Sequence, residues 1–228
     1  MCWLAVTGIL SGVLLFLVYA SAAIRSGVYL KAVCRLNADE KVVALTFDDG
    51  PDSVITPQIL DVLLDCEVQA LFFCIGRKME GQERLLRRIV DEGHGLGNHS
   101  YSHTAFFPLW PLAKMKKDIQ KCGEQLSLFT RRRPFFRPPF GVTNPTVAKA
   151  VAQLGYRTMG WNVRSFDTTK RDYRSVVKRI NKKLQPGSII LLHDTTPAMP
   201  EILKEIIHHA RQQGYRFVRA DKYWEGTT

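Results

Sequence analysis

The stretch Leu45–Pro51, "LTFDDGP", ends the apolar run Val42–Phe47 on two adjacent carboxylates and a Gly50-Pro51 turn. Like charges repel and each loses hydration on burial, so a strand end carrying both Asp48 and Asp49 needs a compensating charge nearby. Successive strand residues point to opposite faces. Both carboxylates can therefore serve one site only if the strand has already broken into the turn.

Outward from this stretch, the chain after Asn37 alternates short apolar runs with amphipathic segments, a β/α rhythm. Strands are expected at 42–47, 69–75, near 95–98, near 134–137, and at 156–161, 188–192 and 215–218. Thr56-Pro57 reads as a cap followed by proline at the first helical position, with Ile59, Leu60, Leu63 and Leu64 forming an apolar face. In 111–129, Leu112, Met115, Ile119, Cys122, Leu126 and Phe129 recur every three or four residues, as a core-facing helix requires. Asn144-Pro145 opens another helix and Gly155 closes it. Seven strands with intervening helices fit a closed (β/α) barrel or a doubly wound sheet. Both folds gather function at the carboxyl ends of strands.

Residues 1–24 carry no charged side chain and are long enough, as a helix, to cross a hydrocarbon core of about 30 Å. They are expected to form a transmembrane anchor. The rival reading is a signal peptide cleaved near Ala20-Ser21-Ala22. Residues 25–36 then read as a juxtamembrane linker and 37–228 as the catalytic domain. Arg25, Lys31 and Arg35 after the apolar run favour a cytoplasmic domain on a positive-inside count. The five cysteines show no C-x-x-C spacing and imply no disulfide framework. The formal net charge of +11 suits an anionic polymer or headgroup. No nucleic-acid-binding motif is present, so nucleic acid is not expected as a partner. No obligate protein partner is evident.

Polar residues recur at the expected strand ends: Asp48 and Asp49, then His99 and His103 in "NHSYSH", Arg137 in "RPPFG", and His193 after "SIILL". Two histidines four apart on a helical turn put both rings on one side. With one carboxylate they make a metal-binding set with open positions. The metal would neutralise one aspartate and leave the other as a base for water. An iron oxygenase would use the same ligand trio but normally carries its carboxylate two residues from the first histidine. His94 reads as a packed residue in a loop near the ligands, and His208 and His209 as helix surface.

The motifs "TFDDGP", "HSYSH", "RPPFG", "GWNVRSFDT" and "LLHD", in this order over about residues 40–220, resemble those of the polysaccharide deacetylase family, carbohydrate esterase family 4. The resemblance implies a distorted (β/α) barrel and a divalent metal, usually zinc, with Co2+ or another transition metal as substitutes. Asp49, His99 and His103 would be the ligands, and Asp48 the base acting on metal-bound water. His193 would be the acid protonating the leaving amine, and Arg137 would orient Asp48. The Phe140 N–H would hold the oxyanion, with Trp161 and Leu191 as apolar walls. The fourth motif departs from the pattern, with Arg164 where the family commonly has Asp and Thr168 where it has Trp, so either Asp167 supports His193 or the acid is tuned differently. The implied activity is removal of N-acetyl groups from amino sugars of an envelope polysaccharide, peptidoglycan or glycolipid, outside the cytoplasm. A deformylase of a lipid-linked amino sugar and a non-catalytic, metal-containing glycan-binding module are the alternatives.

Overall fold

The computed structural model describes residues 2–169 and 172–226. Helix α1 (Cys2–Ala22) and strand β1 (Ala32–Val33) precede the long strand β2 (Val42–Asp48). Then follow α2 (Ile55–Asp65), β3 (Leu71–Cys74), α3 (Gly76–Met79), α4 (Glu83–Asp91), β4 (Gly95–Asn98) and α5 (Leu112–Leu126). The second half adds α6 (Pro145–Leu154), β5 (Thr158–Met159), β6 (Val163–Arg164), α7 (Tyr173–Lys183), β7 (Ser188–His193), α8 (Met199–Gln212), β8 (Arg216–Phe217) and α9 (Ala220–Gly226).

The main sheet runs β4-β3-β2-β7-β6 with every pair parallel. Along one edge of β2, β8 pairs with Val42 and Val43 while β3 pairs with Thr46 to Asp48. Single bridges from Phe136 to Asn98 and to Thr158 carry the curve from β4 to β5, which pairs with β1. The sheet thus bends into the distorted barrel. All of β2 is buried, as expected of a central parallel strand covered on both faces.

Alternation along the strands builds two cores. Leu45, Phe47, Phe72, Ile190 and Leu192 pack outward against the helices. Val42, Ala44, Leu71, Phe73 and Ile189 point into the barrel. Each of these buried side chains larger than Ala44 contributes roughly 1.5–3 kcal/mol of transfer free energy. The same period of two puts Thr46 and Asp48 of β2, and Leu191 and His193 of β7, on the interior face at its carboxyl end.

Several expectations are corrected. Among the described residues no helix is long and apolar enough to cross a membrane, so the transmembrane helix expected over 1–24 is not supported. The last turn of α1 is docked on the domain: Ala20 is buried, as is Ile24 just after the helix, and Thr143 donates from its N–H to the Ser21 carbonyl and from its hydroxyl to that of Ala20. Side chains of the earlier turns of α1, among them Leu10, Leu14 and Phe16, are exposed. The expected strand near 134–137 shrinks to the two bridges of Phe136, because Pro134, Pro138 and Pro139 around it have no N–H for a ladder. At α2, Asp52 rather than Thr56 caps the helix, accepting from the N–H groups of Val54 and Ile55 at 2.9 and 2.8 Å. The Thr56 hydroxyl instead donates to Asp194 at 2.6 Å. At α6 the cap is as expected: the Asn144 side chain accepts from the Val147 N–H at 2.8 Å, and Gly155 ends the helix at φ 66°.

Candidate metal centre and active site

At the end of β2, Asp48 stays in strand geometry and points into the barrel, where Arg137 meets it. The Arg137 guanidinium is fully buried and donates to Asp48 Oδ1 at 2.6 Å, Thr46 Oγ1 at 2.9 Å, and the carbonyls of Met159 and Gly160 at 3.0 and 2.9 Å. Its flat face lies 4.0 Å from the Phe73 ring centroid. Burial lowers the Arg137 pKa, and the nearby Asp48 charge opposes the shift. The compensating charge that the doubled aspartate requires is therefore this arginine.

Asp49 leaves the strand at φ 75°, a left-handed conformation that aspartate tolerates better than most residues. The break turns its carboxylate toward His99 and His103, with Oδ1 3.5 and 3.3 Å from their Nε2 atoms. Lys78 Nζ donates to the Asp49 carbonyl at 2.7 Å and fixes the turn. One ligand atom from each of Asp49, His99 and His103 lies within 4.8 Å of the others.

The two histidines do not sit on a helical turn, as their spacing suggested. They occupy an irregular loop in which Ser100 and His103 have φ 65° and 45°. Asp118 on α5 accepts from the Tyr101 and Ser102 N–H groups, Asn98 accepts from the Ser100 N–H, and Ser100 Oγ accepts from the His103 N–H. Asn98 is in turn tied to the Ile119 carbonyl and the Tyr156 hydroxyl. Sequence reading missed Asn98, Ser100, Asp118 and Lys78. The Asn before "HSYSH" was the available signal for one of them.

The donor set fits a divalent cation. His99 Nδ1 is 2.7 Å from the Arg137 carbonyl, which assigns the proton to Nδ1 and leaves the Nε2 lone pair facing Asp49. Asp49 Oδ1 and His103 Nε2 are buried without a hydrogen-bond partner among the described residues, an expensive arrangement that a shared metal would relieve. Burial and the neighbouring His99 push the His103 pKa down to about 4, which keeps the imidazole neutral and able to ligate. Burial opposes ionisation of Asp49, but the adjacent histidines more than reverse it and hold its pKa below the usual carboxylate range.

On β7, His193 is the parallel-strand partner of Asp48. Its Nδ1 is 2.9 Å from Asp167 Oδ1, and its N–H donates to Asp167 Oδ2 at 2.9 Å. Ser165 and Thr196 donate to the same carboxylate. Burial disfavours charged His193, but Asp167, with Asp48 and Asp49 beyond, raises its pKa above the ordinary value.

A cavity of about 210 Å³ joins Asp48, Asp49, His99, His103 and His193 with Phe140, Trp161, Arg164 and Leu191. Gly141, at φ 70°, lets the Trp161 ring lie across it, since a Cβ there would come within 2.5 Å of the indole. Arg137 and Asp167 stand directly behind Asp48 and His193. The tertiary structure thus gathers all ten sequence-derived candidates. His94 lies at the opposite end of β4 from the cluster, buried, with Nδ1 accepting from the Ala70 N–H at 3.1 Å. His208 is exposed and half-buried His209 lies beside it on α8.

Comparison with known proteins agrees with this geometry. The sequence model of the family described as polysaccharide deacetylase matches residues 35–159. The chain is 35% identical over 192 residues to a peptidoglycan-N-acetylglucosamine deacetylase of Bacillus cereus, covering 79% of this chain and 86% of that one. It is 32% identical over 190 residues to the peptidoglycan-N-acetylmuramic acid deacetylase PdaA of Bacillus subtilis, covering 81% and 72%. A solved structure of BA3943 from Bacillus anthracis, described as a CE4 family pseudoenzyme, superposes with a TM-score of 0.78 at 27% identity, covering 85% of this chain and 69% of that one. With the five motifs folded onto one barrel mouth, this chain belongs to the polysaccharide deacetylase family.

Proposed function

We propose that this protein hydrolyses the N-acetyl amide of an amino sugar in peptidoglycan, using a divalent ion held by Asp49, His99 and His103. The observation that carries the reading is the pairing of two differently tethered groups at adjacent strand ends: Asp48 bound by Arg137, and His193 bound by Asp167. Such a base and acid flanking one cavity is what amide hydrolysis demands, because water must lose a proton and a poor amine leaving group must gain one. The relatives named peptidoglycan deacetylases support the substrate class.

When bound, the ion supplies Lewis-acid polarisation of the amide carbonyl and a lowered pKa for water. The mixed His and Asp donors suit zinc, with Co2+ as a substitute. Asp48, with Oδ1 held by Arg137, takes the proton of the attacking water at Oδ2. His193, with Nδ1 held by Asp167, presents Nε2 to the departing nitrogen. The Phe140 N–H adds a donor for the oxyanion, and Trp161 and Leu191 wall the acyl group. An envelope substrate places the domain outside the cytoplasm.

The BA3943 description shows that the fold does not guarantee turnover, and a metal-containing glycan-binding module is the competing reading. Acetate release by zinc- or cobalt-loaded protein, measured on N-acetylglucosamine oligomers and peptidoglycan fragments, decides between them. Glycan binding without release of acetate or formate would establish the binding module instead.

A further inference from the structure

At the amino ends of its strands the barrel carries a larger cavity than the one at the metal centre. Along one edge of β2, β8 takes Val42 and Val43 while β3 takes Thr46 to Asp48. A cavity of about 580 Å³ opens between the two, walled by Val68 on the approach to β3 and by Phe217 and Val218 on the side of β8. That volume is in the range of small-molecule sites. Val42 and Asp48, at the two ends of β2, are about 20 Å apart at the usual rise per strand residue, so this cavity is separate from the candidate active site.

Its polar floor is an unsatisfied pair. His94 is 4% exposed, and the Ala70 N–H donates to its Nδ1 at 3.1 Å, which assigns the imidazole proton to Nε2. Burial, with Arg219 and Arg88 nearby, pushes the His94 pKa down to about 4, so the ring is neutral. Among the described residues neither His94 Nε2 nor Glu92 Oε2 has a hydrogen-bond partner, although both atoms are buried and lie 3.8 Å apart. That separation is too long for a direct bond. Glu92 is held through Oε1 by Arg88 at 2.6 Å and keeps 19% side-chain exposure, so a small turn of its carboxylate admits a ligand oxygen.

An oxygen that satisfies both atoms must accept from Nε2–H and donate to the carboxylate. A hydroxyl does both, whereas an ionised phosphate or carboxylate only accepts. Charge points the same way. Arg216 is paired with Glu40 at 2.9 Å and Arg219 with Asp221 at 2.8 Å, while Glu67 and Glu92 add negative charge to the wall. The apolar surface of Val68 and Phe217 beside one donor and one acceptor complements a pyranose ring, which presents C–H faces and hydroxyl edges.

We propose that this cavity is a second glycan site, which binds a neutral sugar unit through a hydroxyl held between His94 Nε2 and Glu92 Oε2. The choice of a sugar rests on the glycan-deacetylase reading, but the site is tested through binding alone. A point of attachment remote from the chemistry raises the effective concentration of a polymeric substrate at the active site.

The probe is an N-acetylglucosamine tetramer, added to the intact, zinc-loaded chain carrying Asp48→Asn so that the oligomer survives, and followed by amide NMR shifts. We expect saturable shifts at Val68, Gly93 and Val218 that titrate independently of those at Gly141 and Trp161. Adding Glu92→Gln should weaken the first set about tenfold and leave the second unchanged. Leu64→Trp, at an exposed position on the cavity wall, should block the first set without removing a buried group. No saturable shift in the first set, or shifts indifferent to both substitutions, would overturn the proposal. Displacement of the oligomer from this set by inorganic phosphate would also overturn it, by marking an anion site. Saturable, Glu92-dependent shifts in a protein whose unsubstituted form releases no acetate would uphold the second site and sink the deacetylase reading; acetate release without those shifts would sink the second site alone.

Discussion

Arg137 and Asp48 form an ion pair of 2.6 Å in which the arginine side chain is fully buried and the aspartate nearly so. The partners come from opposite halves of the chain, and the guanidinium also holds Thr46 and two carbonyls. Breaking one side of such a pair strands a buried charge, which costs far more than the pair itself contributes. Arg137→Met should lower unfolding free energy by about 3–5 kcal/mol, read from urea denaturation. A loss below about 1 kcal/mol would mean that Asp48 does not depend on this partner.

The two aspartates should separate by readout. Asp49→Ala removes a ligand atom and is expected to abolish stoichiometric zinc by metal analysis. Asp48→Asn keeps the ligand set, so zinc content should hold while turnover drops by roughly 10²–10⁴-fold, the usual contribution of a positioned base. Equal zinc loss in both variants would contradict the division of labour.

The His193–Asp167 pair sets a pH limit. As an acid, His193 must be protonated, so activity should fall as pH rises through its raised pKa. Asp167→Asn removes the main partner that opposes the effect of burial, and should move that alkaline limb to lower pH. A pH–rate profile with an unmoved limb would assign the acid elsewhere.

Stability should follow the same pair. Burial opposes ionisation of Asp167, yet His193 lowers its pKa, so its contribution is complete above the ordinary 3.8 and lost as pH falls through the folded value. The contribution of His193 has the reverse sign: it is complete below the ordinary 6.5 and lost as pH rises through the raised folded value. Their joint stabilisation is therefore greatest between 3.8 and 6.5. Melting temperatures of the wild type and Asp167→Asn should differ most in that interval and converge outside it.

Gly97 on β4 lies against Phe73, where a Cβ would come within 2.4 Å of the ring. Phe73 in turn floors the Arg137 guanidinium. Gly97→Ala should cost about 1–3 kcal/mol by overpacking, and should lower activity as Arg137 is displaced. Thermal denaturation together with acetate assays would register both effects.

Local patterns were enough to announce the large elements. The runs at 42–48 and 188–193 are long and apolar because both faces of those strands are covered, and the capping signal at Asn144 is chemical and local. Strands β1 and β6, two residues each, have no run to announce them. The apolar length of 1–24 could not reveal that the last turn of its helix is bound to Thr143, 122 residues beyond Ser21.

For the site, the sequence alone determined the residue types: two adjacent carboxylates, a histidine pair, a buried-run arginine and a strand-end histidine, each placed where an α/β fold collects function. What only the tertiary structure decided is who partners whom. The irregular loop bearing His99 and His103, its anchor at Asp118, and Asp167 as the support of His193 depend on contacts between distant segments and on left-handed backbone at non-glycine residues. No local periodicity encodes these, because each is held by packing and hydrogen bonds that exist only once the barrel has closed.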